Sequence, residues 1–147
     1  MSSNATFGTA LVGQIESAFG AILDRQLAGT GLSAPQWITL TVAIAGGGSV
    51  ERDQLIRRVA GARKVNESEV QASVNELAAA RLLQASDEQG APVTVSDAGR
   101  QLHSQITSTV AEITQRLWGD LPAEDLATAA RVLSTVLARA NQELSHA

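Results

Sequence analysis

Residues 50–80, VERDQLIRRVAGARKVNESEVQASVNELAAA, contain the pattern from which the architecture of the chain follows. Apolar residues recur at helical spacing in two runs, which predicts one helix over about residues 50–60 and another over about residues 67–80. Ser49 is placed to cap the first helix, and a turn from Gly61 to Val65 separates the two. The predicted inward-facing residues are Leu55, Ile56 and Val59 in the first helix and Val70, Val74 and Leu77 in the second.

The second helix of this pair has a polar outer side. Asn66 and Glu69 have the spacing of a capping box, which predicts that the helix begins at the residue after Asn66. With the apolar residues inward, the opposite side presents Glu67, Ser68, Gln71, Ala72 and Asn75. Asn and Gln can hydrogen-bond bidentately to adenine, and Ser is a small, versatile contact, so this side could read base edges. The same residues also suit an ordinary solvated helix face, and residue types alone leave both interpretations open.

The charges are unevenly distributed. The net charge of −4 disfavours a nucleic-acid binder, because phosphate groups attract positive surfaces. Residues 57–64, however, contain no acidic residue and four of the eleven cations, namely Arg57, Arg58, Arg63 and Lys64. They lie on the first helix and the turn, where phosphates would pass if the second helix entered a groove. The sequence therefore predicts a local basic patch on an acidic protein.

A short β-hairpin follows the two helices. Residues 82–85 and 92–95 each predict a strand, and the polar stretch 86–91 between them is rich in turn formers. Val93 and Val95 alternate with Thr94, as a two-stranded ribbon requires. A helix, a turn, a second helix and a ribbon, in this order, are typical of a winged helix-turn-helix.

Two helices are predicted before this lobe. Residues 7–27 have one broad apolar face, and the glycines at 29 and 31 end that helix. Ser33, followed by Pro35 in the first turn, begins a second helix that runs to about Ala45. Its predicted inner side consists of Trp37, Leu40, Thr41 and Ile44.

Two further helices are predicted after the hairpin. Ser96 caps a long fifth helix, which residues 119–122 end. The last helix repeats apolar residues in alternating steps of four and three, a seam typical of helix-on-helix packing. The seam consists of Leu126, Ala130, Leu133, Leu137, Ala140 and Leu144. One small domain has little with which to cover both this seam and the face of residues 7–27, so we expect a homodimer.

The composition disfavours an enzyme and a metal protein. Without cysteine there is no disulfide, thiolate metal site or cysteine-based redox chemistry. The two histidines, His103 and His146, are too few and too far apart for a histidine-rich zinc site, and no nucleophile stands beside a base. We expect no cofactor. There is no signal peptide and no apolar run of about 18 residues, so we expect a cytoplasmic protein that does not bind membranes.

Three motifs resemble those of the multiple-antibiotic-resistance regulators, the MarR family. Residues 31–40, GLSAPQWITL, resemble the start of that family's second helix. Residues 93–102, VTVSDAGRQL, resemble the passage from its wing to its long dimerisation helix, and residues 121–126, LPAEDL, resemble the start of its last helix. The order and spacing of the motifs agree over roughly residues 8–141.

The resemblance implies a mainly α fold in one domain over residues 1–147. Dimerisation helices would lie at about residues 7–28 and 97–144, and a winged-helix DNA-binding lobe with a short β-hairpin wing at about 33–95. It also implies a homodimeric repressor that binds palindromic double-stranded DNA and is released by a small aromatic effector. The residues expected at the DNA are Arg57, Arg58, Arg63, Lys64, Ser68, Gln71, Ala72, Asn75 and Arg81. Trp37 could line the effector pocket or be an ordinary core residue.

The chain departs from the family pattern at three places. The expected Asp-x-Arg motif of the wing tip is replaced by Asp87-Glu88-Gln89-Gly90, and no basic residue occurs between Arg81 and Arg100. Gln71-Ala72 occupies the position of the usual Thr-Arg pair, and the turn before this helix is about four residues longer. These changes remove phosphate contacts and add acidity, so they predict a DNA affinity that is weak or depends on unusual contacts. They also suit a second hypothesis, a winged-helix module that binds a protein or a small ligand.

Overall fold

The structure, a computed structural model, describes residues 6–86, 88 and 90–146. This part of the chain forms six helices and three short strands. In chain order they are α1 (Thr9–Leu27), α2 (Ala34–Ala45), β1 (Ser49–Glu51), α3 (Arg52–Arg63), α4 (Glu67–Ala79), β2 (Leu83–Gln84), β3 (Pro92–Val95), α5 (Asp97–Trp118) and α6 (Ala123–Ser145).

The chain divides into two compact units, one up to Val110 and the other from Ala111 onward. The first unit holds the hydrophobic core, in which α2, α3, α4 and the sheet pack together. Six of its described side chains are 0 % exposed: Leu40, Ala43, Leu55, Val59, Val74 and Leu77. Four of them were predicted to face inward in α3 and α4, so the amphipathic pattern identified the core of this lobe.

The sheet contains a strand that the sequence did not predict. Its order is β1-β3-β2, and both pairings are antiparallel. Val50 of β1 lies opposite Val93 and is buried, and the Ser49 hydroxyl is 3.2 Å from that of Thr94. The predicted helix start at residue 50 and the predicted cap at Ser49 are therefore wrong, since pairing with β3 holds these residues extended.

Helix α3 instead begins at Arg52. The carboxylate of Glu51 caps it by accepting the backbone N–H groups of Asp53 and Gln54, each at 3.1 Å. The helix continues to Arg63, so the predicted turn from Gly61 starts three residues too early. Lys64 ends the helix in the left-handed conformation (φ 58°).

Helix α4 begins where the sequence predicted, but not with the predicted capping box. Asn66 is the N-cap residue, yet its side chain makes no capping hydrogen bond. The backbone carbonyl of Asn66 accepts the N–H of Glu69 at 3.1 Å instead. Within the helix Val70, Val74 and Leu77 are buried, as predicted, and Ser73 is buried with them.

Helix α2 has the predicted cap and a slightly rotated inner face. The Ser33 hydroxyl accepts the N–H of Gln36, and the Gln36 side chain accepts the N–H of Ser33, which completes a capping box. Leu40 is buried as expected, whereas the predicted Trp37, Thr41 and Ile44 are half-buried. Thr39 and Ala43 take the inner positions, because the Thr39 hydroxyl is satisfied by donating to the carbonyl of Pro35 at 2.9 Å.

The passage from β3 to α5 is tied to the end of α4. The Ser96 hydroxyl accepts the N–H of Gly99 at 3.0 Å, which confirms the predicted cap. The single proton of the same hydroxyl is shared between the carbonyls of Arg81 and Leu82, at 2.7 and 3.1 Å. Gly99 is buried so closely against this turn that an added Cβ would meet the Leu82 carbonyl oxygen.

The second unit is dominated by α6, and none of that helix's described residues is buried. Its seam residues Leu133, Leu137 and Leu144 are 41, 59 and 64 % exposed. Across the described residues, no helix has the length and the sustained hydropathy needed to cross a bilayer.

Candidate DNA-binding surface

The outer face of α4 is the candidate reading surface. Ser68, Gln71, Ala72 and Asn75 recur at helical spacing on one side of the helix, and all four are exposed. The opposite side is anchored, since Val70 is 1 % exposed and Val74 and Leu77 are fully buried. The orientation predicted from the apolar spacing is thus confirmed, and the part of the first unit that the structure describes leaves this face open.

Arg52 joins this face, although the sequence did not single it out. Its Nη2 atom donates to the Oδ1 atom of Asn75 at 2.8 Å. Arg52 lies in the first turn of α3, and Asn75 lies in the second half of α4. The two residues are 23 positions apart in sequence, and their contact depends on how the two helices cross. The spacing of residues within one helix carries no information about that crossing.

The predicted basic cluster lies in the second half of α3 and just beyond it. Arg57 and Arg58 are exposed, and Arg63 is half-buried. The Arg58 guanidinium lies toward Gly46, since a Cβ added there would be 3.4 Å from Nη1. Lys64 donates from Nζ to the carbonyl of Gly61 at 2.8 Å. Arg52, at the opposite end of α3, contacts the outer face of α4 through Asn75.

Arg81, the last predicted DNA contact, lies in the turn between α4 and β2. It is exposed and has a left-handed backbone (φ 63°), which a non-glycine residue adopts at some cost. It lines a cleft of about 610 Å³ between the end of α4 and the strands of the wing. Its position is held by the hydrogen bond from Ser96 to its carbonyl oxygen.

Carboxylates line a groove beside the reading face. The groove, about 360 Å³ in volume, lies between the start of α3, α4 and the wing. Its lining residues are Glu51, Arg52, Asp53, Gln71, Ser86, Glu88 and Gly90. Three acidic residues against one arginine oppose a phosphate backbone at this place. Asp87 and Gln89, the other residues of the predicted acidic wing tip, lie outside the described residues.

Trp37 stacks on a histidine. The rings of Trp37 and His103 have centroids 4.7 Å apart and planes 19° apart, which joins α2 to α5. Burial lowers the pKa of His103, so the neutral imidazole is favoured. In the described structure the buried atoms His103 Nε2 and Thr41 Oγ1 have no hydrogen-bond partner. Neither of the two sequence interpretations of Trp37 foresaw its histidine partner, which is 66 residues away.

No group of three or more His, Cys, Asp or Glu side chains among the described residues is arranged to hold a metal ion. The observed site consists instead of an exposed helix face on a buried support, a preceding helix that contacts it, and a β-ribbon beside it. Together these elements define a winged helix-turn-helix protein with long flanking helices.

Comparisons with known proteins agree with this class. No protein-family model and no curated protein matches the chain, but solved structures do. A MarR family transcriptional regulator from Silicibacter pomeroyi has a TM-score of 0.74 at 20 % identity, over 90 % of this chain and 88 % of its own. CouR from Rhodococcus jostii, bound to p-coumaroyl-CoA, has a TM-score of 0.72 at 18 % identity, over 86 and 88 % of the two chains.

A third similar structure is BpsR of Bordetella bronchiseptica, a protein whose DNA binding is regulated by 6-hydroxynicotinic acid. Its TM-score is 0.69 at 21 % identity, over 86 % of this chain and 96 % of its own. The chain therefore has the fold of the MarR family of transcriptional regulators. The three-stranded sheet and six helices found here are those of a winged-helix protein of that kind.

Proposed function

We propose that this chain is a cytoplasmic DNA-binding transcription regulator that acts as a repressor by occupying a palindromic operator as a homodimer. The observation that carries this proposal is the outer face of α4, where polar residues are exposed while the opposite side is anchored in the core. A helix so mounted and followed by a ribbon can enter the major groove of DNA. A protein bound at an operator blocks other proteins from the same DNA, and for this reason we propose repression.

The DNA contacts follow from this placement. Ser68, Gln71, Ala72 and Asn75 would meet base edges, because they occupy the exposed side of α4. Arg57, Arg58, Arg63, Lys64 and Arg81 would contact phosphates, which fix the register of the helix without reading sequence.

Exposed apolar surfaces support a homodimer. Helix α1 exposes Val12, Ile15 and Phe19 (39 to 40 %), which line one continuous apolar groove. Helix α6 exposes the larger part of its leucine seam. Apolar patches of this kind are covered by a partner in soluble proteins, and a second copy matches them by symmetry. A two-fold dimer would bind half-sites about 10 base pairs apart.

A small aromatic effector is proposed to bind beside Trp37. The support for this place is that Trp37 stacks on His103 and that the buried atoms His103 Nε2 and Thr41 Oγ1, on the two helices joined by the stack, lack hydrogen-bond partners among the described residues. Similar folds are known with p-coumaroyl-CoA and with 6-hydroxynicotinic acid as ligands. A ligand with an aromatic ring and a carboxylate or hydroxyl group suits such surroundings.

The experiment that tests the proposal is a DNA titration of the full chain at several salt concentrations, with duplexes that flank its own gene. We expect a retarded complex at low salt whose affinity falls linearly with the logarithm of salt concentration. The double variant S68A/Q71A should lose preference for the site but keep salt-dependent binding to any duplex, while the control variant Q101A on α5 should behave as wild type. A folded dimer that retards no duplex at the lowest salt would reject the proposal.

A second candidate, a winged-helix module that binds a protein or small ligand, is favoured by the carboxylates of the groove beside α4. Neutralising two of them, in the variant D53N/E88Q, separates the two functions. A DNA regulator should gain affinity for duplex DNA when this repulsion is removed. An interaction module should still not bind DNA. A pull-down with the wild-type chain as bait should instead retain a protein partner.

A further inference from the structure

We infer that Arg52 and Asn75 act together as one base-reading pair that favours guanine over adenine. The inference rests on the proposed function, since it concerns the base that α4 meets in the major groove. It adds a specificity-determining residue, Arg52, that lies outside the reading helix itself.

Asn75 considered alone would favour adenine. An asparagine amide has one carbonyl oxygen that accepts and one NH₂ group that donates. Adenine presents the matching pattern in the major groove, the N6 amino donor beside the N7 acceptor, so an asparagine with both atoms available binds it bidentately.

The contact with Arg52 changes what Asn75 presents. The Nη2 atom of Arg52 donates to Asn75 Oδ1 at 2.8 Å, so the accepting atom of the amide is engaged within the protein. An adenine amino group brought to that oxygen would also approach the N–H groups of Arg52, and donor would face donor. The amide therefore offers the groove its NH₂ group.

The pair as a whole is a set of donors. A guanidinium has five N–H donors and no acceptor, so engaging one of them leaves others for the DNA. Guanine presents two acceptors in the major groove, N7 and O6, and no donor between them. Of the four bases, guanine is thus the best match for an arginine and an asparagine NH₂ group side by side.

One of the carboxylates beside Arg52 is already engaged elsewhere. The neighbouring carboxylate of Glu51 uses both oxygens to cap α3 through the N–H groups of Asp53 and Gln54. Arg52 is half-buried, so its aliphatic stem is confined and the guanidinium is held toward α4. Gln71 lies one turn before Asn75 on the same exposed face, where it meets a different base pair.

The test is selection of binding sites from a random duplex pool, followed by titration of the best site with single base changes. Wild type should select guanine at one position, and adenine there should weaken binding about tenfold or more. The variant R52M keeps the aliphatic stem but frees Asn75 Oδ1, so the preference at that position should change from guanine to adenine. N75A leaves the donors of Arg52 in place, so it should weaken the guanine preference at the same position without changing it to adenine, whereas the control Q71A should alter only a neighbouring position.

The outcomes separate this inference from the proposed function. Suppose that wild type selects a site with a guanine preference and that neither R52M nor N75A changes this preference. The reading pair would then be wrong, while the proposed function as a DNA-binding regulator would stand. An R52M protein that binds all sites equally more weakly would make Arg52 a phosphate contact, which also overturns the pair. If wild type binds no duplex at all, both proposals fail together. Circular dichroism of each variant establishes that it is folded.

Discussion

Two glycines within helices have opposite surroundings. Gly99, in the first turn of α5, is buried against the turn that follows α4, where an added Cβ would meet the Leu82 carbonyl oxygen and lie 3.1 Å from Val95 Cγ1. Gly61, in α3, is exposed, and nothing lies within 4 Å of the position that a Cβ would take. The first glycine permits a close approach of backbones, and the second only weakens its helix.

The pair G99A and G61A tests this difference. We expect G99A to lower the free energy of unfolding by about 1–3 kcal/mol or more, because backbone must move to admit the methyl group. G61A should raise it by about 0.5–1 kcal/mol, since alanine loses less entropy than glycine in a helix. Urea unfolding at fixed protein concentration measures both. Equal effects of the two substitutions would contradict the close packing at Gly99.

His103 should make stability depend on pH. Burial lowers its pKa in the folded protein, whereas the pKa of a histidine in an unfolded chain is about 6.5. Below that value the unfolded chain therefore binds the proton first, so the stability present at neutral pH falls as the pH drops toward the lowered pKa.

The measurement is the free energy of unfolding from pH 8 to pH 5 for wild type and H103Q. The stability of wild type should fall more steeply below about pH 6.5 than that of H103Q. H146Q, with its histidine exposed at the C-terminal end, is the matched control and should follow wild type. Parallel curves for wild type and H103Q would mean that His103 titrates as it does in the unfolded chain.

At the level of helices and strands, the spacing of apolar residues predicted which side of an element is buried, but not which other elements it contacts. Helix α4 has an apolar and a polar side, so its orientation followed from spacing, and the predicted range of residues 67–80 differs from the observed one by a single residue. Strand β1 has three residues and is held extended by pairing with β3, so its partner defines it rather than its own sequence. The contact between Arg52 and Asn75 and the stack of Trp37 on His103 join separate elements, and helical periodicity carries no information about them.

The buried side of α4 should be needed for stability. Leu77 is fully buried, so L77A should lower the free energy of unfolding by about 2–5 kcal/mol through lost burial and a residual cavity. The adjacent exposed residue gives the control E76A, for which we expect a change within about 0.5 kcal/mol. Chemical denaturation measures both. A small effect of L77A would mean that α4 is not anchored through this side.

The exposed arginines of α3 should act on DNA through charge alone. If Arg57 and Arg58 contact phosphates, R57A/R58A should weaken binding equally for all sequences. The slope of log affinity against log salt concentration should also become shallower by about 0.9 for each arginine. R131A, which removes a cation from the side of α6 opposite the seam, should leave the slope unchanged. A loss confined to one DNA sequence would instead indicate contact with a base.

Considered as a whole, the molecule is acidic and carries more exposed apolar surface on α1 and α6 than on its winged-helix lobe. Its net charge is −4, yet four cations fall in residues 57–64. The reading helix α4 contains three glutamates and no cation. Binding to DNA, if it follows the proposed geometry, must therefore draw its electrostatic attraction from α3 and from Arg81, and two lobes in a dimer would double that attraction.

The homodimer is tested by light scattering. The chain has a mass of 15.3 kDa, and we expect the wild-type protein to scatter with twice that mass at micromolar concentration. L133K/L137K places two charges in the seam of α6 and should shift the protein toward the monomer, because a charge within an apolar interface loses its hydration. T135K, on the other side of the same helix, should remain dimeric. A wild-type mass of one chain at these concentrations would refute the dimer.

The hydroxyl of Ser96 links the start of α5 to the turn after α4, because it accepts one hydrogen bond and shares its single proton between two carbonyl groups. Gly99 also packs directly against the backbone of Leu82, so the two segments are in close contact. A rotation of α5 at this end would therefore move the turn that follows α4. If α4 faces DNA as proposed, a ligand that displaces His103, one turn beyond Gly99, would shift the end of that helix. Under that proposal the protein could be released from its operator by a tilt of α4 relative to the DNA, without any new contact to the exposed face of α4.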